Sequence, residues 1–88
     1  MKPTAYVTTS GPLQHRPPKD GKHYQLAELQ EMVGGYIETV RTPNGMILVV
    51  DEEGLLKRKP INISASFIAR RTIVGDAVYA HPDFFERG

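Results

Sequence analysis

The densest chemistry in the chain lies between positions 57 and 71. Lys57, Arg58 and Lys59 form a cationic run, Arg70 and Arg71 a cationic pair, and no acid falls between Gly54 and Arg71. Between the two groups, Asn62 or Ser64 can cap a short helix containing Ala65, Phe67, Ile68 and Ala69. A helix N-terminus offers free amide protons, so one flanked by cations suits phosphate or another anion. Lys57, Arg58, Lys59, Asn62, Ser64, Arg70 and Arg71 are therefore the candidate anion-binding residues. The competing structural reading is a solvated charged loop, with arginines that match the dipole at the helix C-terminus.

Other reactive side chains are spaced less favourably. His15, His23 and His81 lie far apart and show no short metal-ligand spacing, so no metal site is expected. Asp51-Glu52-Glu53 lacks the distributed oxygen ligands of a calcium loop and reads as a solvated turn. Ser64, Ser66 and Thr72 have no histidine nearby to activate them. No catalytic residue and no cofactor is assigned, and the chain is expected not to be an enzyme. Gly34-Gly35 follows a helical pattern, whereas a phosphate-cradling loop opens one, so the pair reads as architecture.

These residues must be positioned by a small body. Eighty-eight residues make one domain, 1–88, which divides into an N-terminal strand with a proline-rich loop (1–23), a core (24–80) and a tail (81–88). The chain has no cysteine, hence no disulfide or thiolate metal site, and self-association is a ready way to bury more apolar surface. With neither a secretory pattern nor a membrane-length apolar run, a soluble, cytoplasmic protein is expected. Net charge is only +1, but it is unevenly distributed. Six acids between Glu28 and Glu53 face one Arg41, whereas the following segment is purely basic.

Along the chain, Thr4 to Thr9 is β-branched and aromatic enough for a strand. The next 14 residues hold three prolines and two glycines and read as a loop, with a second short strand around Leu13 to His15. Leu26, Leu29, Met32 and Val33 fall on one helical face, with Glu28, Gln30 and Glu31 opposite, and Gly34 stands where a left-handed terminating residue belongs. Tyr36–Arg41 and Met46–Val50 flank Thr42-Pro43-Asn44-Gly45 and predict a β-hairpin. The second of these strands is apolar on both faces and is expected to be central. Thr72–Val74 and Ala77–Ala80 are β-like, with a bend at Gly75-Asp76, and the two phenylalanines of the tail should dock on the body. This order predicts an α+β fold, a small mostly antiparallel sheet with one or two short helices packed on one face.

The segment Leu26–Val40, LAELQEMVGGYIETV, followed by NGMILVVDEEG, Asn62 and IVGDAVYA, resembles a small family of domain-of-unknown-function 3846 type. The resemblance runs from about Tyr24 to Ala80 and implies a setting in bacteriophages, plasmids and their hosts, with no agreed activity. That setting implies a phage or mobile-element accessory protein with a counter-defence role. The first expectation is that it binds and sequesters an anionic, nucleotide-like ligand, or a host protein, as a homo-oligomer. The alternatives are an anti-restriction inhibitor and a small nucleic-acid-binding protein, whose five cations would neutralise only a few phosphates.

Overall fold

A computed structural model describes residues 2–86; the last two residues of the tail, Arg87 and Gly88, lie outside the described residues. Among the described residues four strands are present: β1 (Thr4–Val7), β2 (Ile37–Arg41), β3 (Ile47–Asp51) and β4 (Ala77–Ala80). They form one sheet in the order β1-β4-β3-β2, with every neighbouring pair antiparallel. The expected hairpin is β2–β3, with Val40 opposite Leu48 and Gly45 at φ 84° in its turn. β3 lies between β2 and β4, which explains why it is apolar on both faces. The segments expected around Leu13 to His15 and Thr72 to Val74 do not extend as strands. Each supplies one isolated bridge, Gln14 to Tyr6 and Val74 to Ile61.

The helices are α1 (Leu26–Val33) and α2 (Ile63–Ala69). The α+β class and the antiparallel sheet are as expected, but the two helices do not share a face. Successive strand residues point to opposite sides, and two separate cores follow from that alternation. Val49, Val78 and Ala80 pack with Leu29, Met32 and Val33 of α1. Leu48, Val50, Ala77 and Val7 pack with Ala65 and Ala69 of α2. An apolar β3 requires cover on both faces, and a single helical layer cannot supply it.

On the α1 side the tail adds to the cover. The tail folds into a 3-10 turn (Pro82–Phe84), and its backbone is tied by the Tyr24 amide donating to the Phe84 carbonyl at 2.8 Å. Tyr24 packs against Phe84 and Phe85 at centroid distances of 6.2 and 5.7 Å. Tyr6 reaches beneath α1 and donates its hydroxyl to the Met32 carbonyl at 2.6 Å. Glu28, expected on the outer face of α1, is buried instead. Its carboxylate accepts the Gln25 amide at 2.9 Å and so caps the helix N-terminus from within.

Candidate functional site

Structure separates the seven candidate residues. Lys57 and Lys59 turn away from α2 and converge on Asp51, at 2.9 and 2.7 Å from the same carboxylate oxygen, Oδ2. Each also donates to the open C-terminus of α1: Lys57 Nζ to the Gly34 carbonyl at 3.1 Å, Lys59 Nζ to the Val33 carbonyl at 2.6 Å. Helix C-termini leave carbonyls unpaired and carry partial negative charge, which two ammonium groups satisfy. Within the fold, the anion that these two lysines meet is the internal Asp51 carboxylate. Burial of Asp51 would raise its pKa. The hydrogen bonds from Lys59, Lys57 and the Glu53 amide outweigh that and hold it at about 2.

This clamp also explains Gly34 and Gly35. Gly34 terminates α1 at φ 83°, and a Cβ there would lie 2.9 Å from Lys59 Nζ. At Gly35 the requirement is space: a Cβ would stand 2.9 Å from the Asp51 carboxylate and closer still to Lys57 Nζ. The glycine pair leaves room for the two lysines to reach the end of the helix.

Asn62 is likewise internal. It is fully buried and caps α2 by accepting the Ala65 amide at 3.0 Å. Its side-chain amide donates to the carbonyls of Val7 and Gly75, both at 2.9 Å. Both of its amide hydrogens and its oxygen are engaged within the fold, and full burial keeps the side chain from an external ligand. Ser66 is similarly engaged, its hydroxyl accepting the Ile73 amide at 2.7 Å and donating to the Ile73 carbonyl at 3.1 Å.

Arg58, Ser64, Arg70 and Arg71 remain exposed. The two adjacent arginines line different hollows. Arg71 borders a small depression with Glu38, Glu52 and Leu55. Arg70 borders a groove of about 610 Å³ on the α2 face, walled by Ser66, Phe67 and Ile68 of α2, Pro43 and Asn44 of the hairpin turn, and Tyr79 of β4. Arg70 closes α2 in the left-handed conformation, φ 56°, where glycine is the ordinary occupant. Its guanidinium enters no ion pair among the described residues. Asn44 donates to the Tyr79 hydroxyl at 2.9 Å, which fixes the turn against the strand and shapes one wall. A second hollow of similar volume lies beside the tail, but Asp83 and Glu86 line it and disfavour an anion there.

The sequence reading missed Phe67, Tyr79, Asn44 and Pro43 as groove residues. One signal was available in α2 itself. Its inward positions, Ala65 and Ala69, are small, while Ile63 and Phe67 at the same four-residue spacing point outward, 80 and 86% exposed. The helix thus buries its alanines and displays two large apolar side chains, the reverse of the usual amphipathic pattern.

A family model for a domain of unknown function, DUF3846, matches residues 4–85. The chain belongs to that family. The match is wider than the Tyr24–Ala80 resemblance read from sequence, and takes β1, the proline-rich loop and the docked tail into the family unit. Searches of curated proteins and of solved structures find no match. Among the described residues no helix is long and apolar enough to cross a membrane, and no three His, Cys, Asp or Glu side chains are grouped to hold a metal ion.

Proposed function

We propose that the chain is a non-catalytic binding protein whose α2-face groove takes an anionic, ring-bearing ligand of nucleotide type. The observation that carries this reading is the pairing of an uncommitted guanidinium with aromatic walls. Arg70 stands beside Phe67 and Tyr79 in a groove of about 610 Å³, within the roughly 300–1,000 Å³ range of small-molecule sites. A guanidinium matches phosphate oxygens two at a time, an aromatic ring stacks on a base, and both can act without a chemical step. The Arg70 backbone adds support, because a non-glycine residue in the left-handed region costs on the order of 1 kcal/mol. In the phage and mobile-element setting that the resemblance implies, holding a nucleotide signal out of circulation would serve counter-defence. The internal commitment of Lys57 and Lys59 weighs against nucleic acid, since it removes two of the five cations available to a phosphate backbone.

Isothermal titration with cyclic and linear nucleotides tests this reading. Binding heat is expected with the native chain and is lost in Arg70→Gly, while the thermal midpoint of that variant stays level or rises as backbone strain is relieved. Absence of heat across the whole panel would sink the ligand reading.

A further inference from the structure

We infer that a second copy of this chain covers the α2 face and closes the open groove into a pocket walled by both protomers. Leu55, Leu56, Ile61, Ile63 and Phe67 are between 59 and 86% exposed, and all come from one stretch of chain. Phe67 lies on the α2 face beside Tyr79 and Pro43, and Leu55 lines the neighbouring depression with Val50 and Glu38, whose side chains point to the same side of the sheet. Large apolar side chains exposed to this degree along one short stretch of chain are what an interaction surface presents.

Charge selects a second copy as the occupant. Arg71, Glu38 and Glu52 line one depression next to Leu55, and none of the three enters an ion pair among the described residues. A surface carrying both signs beside an apolar patch can pair with itself across a two-fold axis, where each contact is made twice with the roles exchanged. A strongly acidic or basic partner would meet a like charge there, whereas two copies of net charge +1 barely repel. Closure also supplies what the groove lacks, because a bound small molecule ordinarily has 70–90% of its surface covered.

The pairing stands on the surface itself; only the identity of what fills the pocket rests on the proposed function. The test is the native mass of the full chain, measured by sedimentation over a concentration series without nucleotide. A dimer is expected. Phe67→Asp with Ile63→Lys should weaken it at least about tenfold with the far-ultraviolet circular dichroism unchanged, since both side chains are largely outside the monomer core. Arg71→Glu should weaken the dimer, and adding Glu38→Arg and Glu52→Arg should restore it. A chain that stays monomeric at its highest soluble concentration overturns the pairing, as does a dimer untouched by the Phe67/Ile63 change. A monomer that still binds nucleotide overturns the pairing and leaves the ligand reading standing; a dimer that gives no heat does the reverse.

Discussion

The two faces of the sheet are closed by different means. On the α1 side, large side chains do the covering: Leu29, Met32, Val33 and Tyr24 are all buried, and Phe84 and Phe85 of the tail pack against them. On the α2 side the helix contributes two alanines, and its Ile63 and Phe67 face solvent. Each helix is also pinned by a buried polar group. The pin for α1 is an ion cluster, Asp51 with Lys57 and Lys59; the pin for α2 is a neutral amide, Asn62. The contrast is one of means: large helix side chains close the α1 face, whereas small ones and the Asn62 hydrogen bonds hold α2 against an equally buried sheet face.

The largest loss is expected from the amide. Asn62→Ala strands two buried carbonyls and one helix amide, and should cost about 3–4 kcal/mol in denaturant unfolding. A cost below 1 kcal/mol would mean that alanine packing alone retains α2.

The ion cluster should rank next. Asp51→Asn should cost about 2–3 kcal/mol near pH 7, below the 3–5 typical of a broken buried pair because both lysines keep some contact with water. Its pH signature is specific. The Asp51 carboxyl is depressed from 3.8 to about 2 in the fold, so the unfolded chain takes up its proton first as acid is added. The stabilisation is complete above the unfolded value near 4 and is lost as pH falls through 2, a change of about 2 kcal/mol. Urea midpoints between pH 6 and 2 should show that slope in the native chain and lack it in Asp51→Asn.

The smallest effect should fall on the largest exposed side chain. Phe67→Ala should change stability by less than about 0.5 kcal/mol when measured at a protein concentration too low for pairing. A larger loss would show that Phe67 supports the monomer, and would erase the distinction between the faces.

Much of the frame was legible in the residues. Thr42-Pro43-Asn44-Gly45 between two β-rich runs specified the hairpin, and the unbroken apolar run of β3 specified a central strand. Gly34 marked the end of α1. The same run in β3 also called for cover on both faces, and placing the helices on one face overlooked that requirement. Lysine roles were less accessible. Lys57 and Lys59 read as free cations because their acceptors, the end of α1 and Asp51, become neighbours only once the hairpin has formed and the chain has turned back at Asp51–Arg58. Glu28 was misplaced for a related reason, since helical periodicity assigns a carboxylate outward unless a local cap claims it. Of the groove only the outward face of α2 was legible, because its other walls come from a hairpin turn and β4, which are brought to α2 only by the fold.

The lysine clamp also has a consequence for folding order. The last carbonyls of α1, at Val33 and Gly34, acquire their donors from residues 23 to 26 positions further along. A helix of 8 residues is too short to persist alone in water, and this one has no basic residue of its own in its last turn. As the chain emerges during synthesis, α1 therefore remains unfinished until Lys57 and Lys59 have followed. The helix, the hairpin and the connector should open and close as one cooperative unit. Amides in α1 are then expected to exchange with solvent at the same free energy as those of β3, with no separately fraying end.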